Sequence, residues 1–268
     1  MFFRFNKWFF HSLAFLMLLT TAPLQAQRAP KFTDGYTSSF WYDTRDLILF
    51  PRSFQKYDWW AAAMASSLTG AAFLVDEGVE SALRHSAIRN RNRDWVRYGI
   101  TNWGSGLNTG AVTVTLFTLG AVRHDDRLRW ISLLQAKTLG LSALGAGFTK
   151  LLFQRHRPDD SMVTPDAWKW EGPFKGFTGN YSFVSNHSFS AFAWATVTAK
   201  SVENKVLRIA LYSLAGCVSI SRVTSGRHWA GDAVAGSALG YMTGSLLYRL
   251  QEKNWKKKPV GKSFRNNE

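Results

Sequence analysis

"SISRVTSGRHWAGDAVAG", residues 219–236, sets a short polar turn between two apolar stretches and places Arg222, His228 and Asp232 in a chain otherwise rich in Ala, Leu, Gly and Phe. Neither flank alternates apolar with polar residues, so both read as helices rather than strands. Ser221 and Arg222 close one helix, a Gly-containing link follows, and His228 begins the next. Asp232 stands four residues beyond His228, which predicts that the two share one helical face. An Asp there accepts a hydrogen bond from one ring nitrogen and leaves the other free to attack.

The same apolar texture recurs outward from this point. Six segments, near 59–75, 105–123, 130–153, 187–200, 205–222 and 229–249, are rich in Ala, Leu and Gly without period-two alternation, and no repeat of fixed length appears. The fold class expected is all-α, a six-helix core bundle spanning residues 58–250 with its active site at one end. Residues 1–26 read as an export signal: basic Arg4 and Lys7, an apolar run from Trp8 to Leu19, and small Ala26 before Gln27. Residues 27–57, with Pro30, Gly35 and Pro51, read as an irregular arm, and residues 251–268 as a basic tail.

With 268 residues, 46% of them hydrophobic, the chain is long enough for one sizeable core, and its single cysteine, Cys217, leaves stability to packing rather than to a disulfide within the chain. The formal charge of +15 concentrates in residues 84–97 and 249–265. Export argues against nucleic acid as the partner. Anionic lipid head groups at a membrane surface are the partner expected, although solvated basic loops explain the clusters equally well. A spanning helix needs roughly 20 apolar residues, whereas Lys137, Arg208 and Asp232 interrupt these segments and mean hydropathy is −0.15. Six spans after a cleaved signal would also put the two basic clusters on opposite sides of the bilayer, against the positive-inside rule. The expected location is the periplasm or cell envelope, as a bundle that is soluble or rests on a membrane, with a spanning arrangement as the rival.

Two further clusters match the first. "KLLFQRHRP", residues 150–158, places Lys150 in the last turns of the third helix and Arg157 in its exit before Pro158. "SFVSNHSFSAF", residues 182–192, offers Ser185 and Asn186 as caps opening the fourth helix, with His187 in its first turn. In an antiparallel bundle the end of helix three, the start of four, the end of five and the start of six lie together. Three cations, a helix N-terminus and two histidines then converge, which suits a phosphate. His156, Asp159 and Asp160 read as solvated loop residues, and His124, Asp125 and Asp126 as a turn at the far end. The aromatics of loop 159–183, among them Trp168, Trp170 and Tyr181, fit either an acyl-chain cover or simple loop packing.

K-x6-R-P, S-x-H and S-R-x5-H-x3-D, in this order, resemble the type-2 phosphatidic acid phosphatase and vanadium haloperoxidase superfamily. The resemblance implies that His228 is a nucleophile forming a phosphohistidine, oriented by Asp232, and that His187 is the general acid. It implies that Lys150, Arg157 and Arg222 hold the phosphoryl oxygens, helped by the Ser185 hydroxyl and the Asn186 N–H. No metal and no cofactor is required by this scheme. The family's usual Pro-Ser-Gly-His is here Val184-Ser185-Asn186-His187, and Asn is among the residues that best tolerate the positive φ a glycine permits. The function expected is hydrolysis of a phosphomonoester or pyrophosphate, with a lipid phosphate of the envelope as substrate. Two other readings stay open: a haloperoxidase holding vanadate in the same residues, and a non-catalytic envelope-binding bundle.

Overall fold

The computed structural model describes residues 54–86, 99–159, 166–173 and 181–257, together with Arg45 and Arg89. The expected signal and nearly all of the expected arm lie outside the described residues. Among these described residues six long helices appear: α1 (Lys56–Arg84), α2 (Gly106–Val122), α3 (Asp126–Phe153), α4 (Asn186–Ser201), α5 (Lys205–Thr224) and α6 (Ala230–Lys257), with a 3₁₀ turn at Thr101–Gly104 before α2. Among the described residues the only β pairing is an isolated bridge between Arg155 and Trp170. The all-α six-helix reading therefore holds. Two boundaries move: α1 runs through Asp76, Glu77 and Glu80 to Arg84, and α6 continues into what the sequence suggested was tail.

The helix ends are set by local chemistry. Asp125 caps α3 by accepting from the N–H groups of Arg127 and Leu128, and Asn204 caps α5 through Val206 and Leu207. The His124–Asp126 stretch is thus the turn expected, with His124 at φ 53°. At the other end of α3, Gln154 takes a left-handed conformation, φ 44° and ψ 47°, and reverses the chain.

Helix α4 is the centre of the bundle. Twelve of its sixteen residues are buried, and it packs against α3, α5 and α6, while α1 lies on α6 and α2 on α3. The α4–α6 contact is close because Gly236, Gly240 and Gly244 fall on one face of α6. A Cβ at any of the three would lie within 2.7 Å of the carbonyl oxygen of Ser185, Phe189 or Ala193, respectively. Polar residues enter the helical core by satisfying themselves locally: the hydroxyls of Thr113, Ser132, Thr138, Ser142 and Ser201 each donate to the carbonyl four residues back. Gln135 joins α3 to α4, donating to Thr198 at 2.9 Å.

Much of the outer surface is apolar. Leu74, Leu107, Val122, Val206 and Ile209 are each at least 66% exposed, far more than an aqueous surface favours over this many helices. Trp59 and Trp60 are exposed at the start of α1, whereas Trp229 is buried, so the tryptophans near helix starts divide between surface and core. Between α1, α5 and α6 runs an apolar groove of about 1060 Å³, lined by Trp60, Met64, Leu68, Phe192, Ile220 and Val234 among others.

Candidate active site

The ends of α3 and α5 and the starts of α4 and α6 meet, as connectivity requires, and bring Lys150, Arg157, Arg222, His187 and His228 into one electrostatic cluster. The left-handed Gln154 turn sends Arg155 and Arg157 back under the bundle instead of continuing the helix. Arg157 reaches the Tyr181 carbonyl at 3.5 Å, and its buried Nε has no hydrogen-bond partner among the described residues.

Ser185 is the N-cap of α4. Its Oγ accepts from the Ser188 hydroxyl at 3.0 Å and from the Ser188 N–H at 3.4 Å, which leaves the Ser185 hydroxyl hydrogen to donate elsewhere. Asn186 is the first helical residue of α4, and among the described non-glycine residues only His124 and Gln154 have positive φ. The left-handed tolerance expected of Asn186 is therefore not needed. At this position its N–H lacks an intrahelical acceptor and points out of the helix start.

His228 is 2% exposed and precedes α6, which starts at Ala230. The i,i+4 face predicted for His228 and Asp232 does not form, because His228 is not yet helical. Its Nδ1 instead donates to the Ser182 carbonyl at 2.9 Å, and Asp232 Oδ2 lies farther off at 3.9 Å. That bond assigns the proton to Nδ1 and leaves Nε2 with its lone pair. Asp232 acts one step back: it accepts from Ser182 Oγ and from the Trp229 N–H at 3.0 Å, and its own carbonyl accepts from Ser185 N–H at 3.2 Å. The starts of α4 and α6 are thereby tied to each other.

Burial and the three cations act on both histidines in one direction. His228 is pushed well below the ordinary imidazole value by burial first, then by Arg222, Arg157 and Lys150. His187 is pushed down to about 3 by burial and then by Arg222, Lys150 and Arg157. Lys150 is brought down to about 8 by its own burial, then by Arg157 and Arg222. Both rings are neutral at pH 7, facing a concentration of positive charge.

Three residues of this site were given no role by the sequence. Ser182 opens the second cluster, Arg155 lies two positions before Arg157, and Asp76 is the first charge after the apolar run of α1. Arg155 bonds Asp232 and Asp76, each at 2.7 Å, with all three side chains fully buried. Of the flanking residues, Asp159 is an exposed loop residue as expected, paired with Arg227 at 3.0 Å, whereas His156 is partly buried and pairs through Nε2 with Glu171 at 2.8 Å. Asp160 lies outside the described residues. In the aromatic loop, Trp170 packs edge-on to Phe73 and Phe153 and Trp168 stays exposed, so Trp170 serves loop packing.

Comparison with known proteins agrees with this arrangement. Residues 132–256 match the model of the PAP2 superfamily. The chain is 28% identical over 127 residues to a lipid A 1-phosphatase of Porphyromonas gingivalis, covering 46% of this chain and 25% of that protein. It is 29% identical over 107 residues to a lipid A 4'-phosphatase of the same organism, covering 40% and 44%. The chain thus spans less than half the length of these curated relatives. Among solved structures, the transmembrane PAP2-type phosphatidylglycerolphosphate phosphatase of Bacillus subtilis aligns with 85% of this chain and 100% of its own, at 20% identity and a TM-score of 0.45. The segment that matches the PAP2 superfamily, residues 132–256, holds every residue from Lys150 to Asp232 in the cluster.

Proposed function

We propose that this protein is a phosphatase of the cell envelope that hydrolyses a lipid phosphomonoester or pyrophosphate through a phosphohistidine on His228. The observation that carries the reading is the neutral His228 ring, fixed by Nδ1 on the Ser182 carbonyl, in the field of Lys150, Arg157 and Arg222. Nε2 attacks phosphorus while the phosphoester oxygen departs, so an N–P bond forms as the P–O bond breaks. The three cations hold the equatorial oxygens, and the Asn186 N–H at the α4 start adds a donor. His187 protonates the leaving oxygen and then takes a proton from the water that cleaves the N–P bond. Burial is the first cause that keeps His187 neutral and the cations the second; a bound phosphate offsets the cations and so favours proton uptake at this ring. Side-chain cations supply the charge stabilisation, and the scheme invokes no metal or cofactor.

A lipid substrate is supported by the two lipid A phosphatases among the relatives, by the apolar surfaces of α1, α2 and α5, and by the groove between α1, α5 and α6. Membrane association is supported in the same way, with Lys205–Thr224 long and apolar enough to cross a membrane. Export through residues 1–26 belongs to this proposal.

The test is phosphate release by purified protein in mild detergent with EDTA, from lipid A, phosphatidic acid, phosphatidylglycerolphosphate, an isoprenyl pyrophosphate and a water-soluble aryl phosphate. Release from one or more lipids, blocked by vanadate, is the expected result. Halide oxidation by peroxide that depends on added vanadate, without release, would replace this reading by the peroxidase. Neither activity in a folded protein would leave the envelope-binding bundle.

Lys150 gives the reaction a pH signature. A lysine is charged below its pKa, so phosphate capture is intact at neutral pH and is lost as pH rises through about 8. Plotted against pH, kcat/KM is expected to fall above that point by up to about tenfold per unit. In Lys150→Arg, whose cation does not titrate in this range, the fall should disappear.

A further inference from the structure

Helix α1 lies outside the family-matched residues 132–256, yet it puts one carboxylate into the base of the site. Asp76 is fully buried; its Oδ2 accepts from Arg155 Nη2 at 2.7 Å and its Oδ1 from the Gly231 N–H at 2.8 Å. Gly231 is in the first turn of α6, three residues from His228, and Phe73 occupies the space its Cβ would need, so α1 passes directly over this turn. Arg155 is held from every side. Its Nε and Nη2 donate to the Ala167 carbonyl at 2.9 and 2.7 Å, its Nη1 donates to Asp232, and Phe73, Trp170 and Trp229 pack around the guanidinium at 4.8 to 5.3 Å.

The charge balance of this buried group matters for the chemistry in front of it. Alone, the Arg155–Asp232 pair is neutral and gives His228 no net counter-charge. Asp76 supplies the second carboxylate, and the Asp76–Arg155–Asp232 group then carries a net negative charge behind a ring that faces three cations. When Nε2 bonds phosphorus, positive charge develops on the imidazole, and a fixed negative charge behind it stabilises that state more than the neutral ground state.

We infer that Asp76 is a positioning residue for phosphoryl transfer, acting on His228 through Arg155, Asp232 and the Gly231 N–H. This rests on the reading of His228 as nucleophile. The residue makes its contribution after binding, since none of its contacts is with Lys150, Arg157 or Arg222.

The test compares wild type, His228→Ala, Asp76→Asn and Glu77→Gln in the phosphate-release assay, with inorganic phosphate as competitive inhibitor and calorimetric melting of each protein. Asn keeps the acceptor for Gly231 N–H and removes the charge. Asp76→Asn should lose about ten- to a hundredfold in kcat, while KM and the inhibition constant for phosphate stay within about twofold. Glu77→Gln, whose carboxylate accepts from the same Ala167 peptide at 3.4 Å without touching Arg155, should match wild type. The double variant Asp76→Asn/Arg155→Gln leaves Asp232 as the sole charge and should recover part of the lost kcat. Asp76→Glu, which keeps the charge, carries the comparison if Asp76→Asn does not fold, and a kcat within about tenfold of wild type with unchanged phosphate affinity is then the expected result, a larger loss overturning the inference.

An unchanged kcat in Asp76→Asn, a parallel loss of kcat and phosphate affinity, or a double variant worse than the single would overturn the inference while leaving the phosphatase reading intact. Absence of release by wild type, or full release by His228→Ala, would overturn that reading and this inference together.

Discussion

Replacing His228 with alanine is expected to lower phosphate release by about 10⁴-fold or more, because the proposed nucleophile itself is removed and no nearby side chain substitutes for it. His187, the other imidazole of the cluster, belongs to the first turn of α4 and is assigned the proton-transfer role. Phosphate affinity should survive, since Lys150, Arg157, Arg222 and the α4 start are untouched. Rapid alkaline quenching with a radiolabelled substrate gives the sharper readout: wild type should retain acid-labile, base-stable label on the protein, and His228→Ala none. Residual turnover within about a hundredfold of wild type would mean that phosphorus is attacked by something else.

Arg155→Met should be the most destabilising single change among the described residues of this site. Asp76 and Asp232 are 0% exposed in their side chains and share this one guanidinium. Removing one partner of a buried ion pair costs about 3–5 kcal/mol, which for a domain of this size is a fall of roughly 10 °C in Tm. The pH dependence identifies the cause. Burial already raises both carboxyl groups above the ordinary Asp value, and Arg155 opposes that rise. Without Arg155 they rise further, so the folded variant binds protons more tightly than the unfolded chain. Its defect is then smallest at acid pH and grows as pH climbs from the unfolded Asp value through the raised folded one. Melting scans from about pH 4 to 8 check this. A gap from wild type that stays constant over that range would point to lost aromatic packing around the guanidinium instead.

The helices were legible in the sequence because their apolar content is continuous, and the expected 105–123 and 205–222 became Gly106–Val122 and Lys205–Thr224. The first expected segment ends at residue 75, short of Arg84, for a physical reason. Asp76, Glu77 and Glu80 look like the polar exit of a helix, but Asp76 and Glu80 are buried, neutralised by Arg155 and by Arg89, which bonds Glu80 at 2.5 and 2.7 Å. A pairing between residues 79 positions apart leaves no local trace. The cluster from Lys150 to Asp232 was legible because its members sit at helix ends whose relative placement follows from connectivity. Spacing was less informative for His228: four residues ahead of Asp232 suggested a shared helical face, yet α6 starts after the histidine and the ring settles on Ser182. Asn186 shows the converse, a departure from the family pattern that the backbone accommodates as an ordinary first helical residue.

The glycine face of α6 sets how this site works as a machine. With Gly236, Gly240 and Gly244 against the carbonyls of Ser185, Phe189 and Ala193, the two helices touch backbone to backbone, and neither can slide or rotate without collision. Ser185 and His187 ride on the start of one, and the turn into the other carries His228. The span from His187 to His228 is therefore fixed by main chain, like the jaws of a locked caliper, while the outer helices are left to adapt to whatever surrounds them. On the proposed reaction, such a frame needs no closing motion of these two helices: a phosphate would come to a ready-set gap, and choice among substrates would pass to the walls around its entrance.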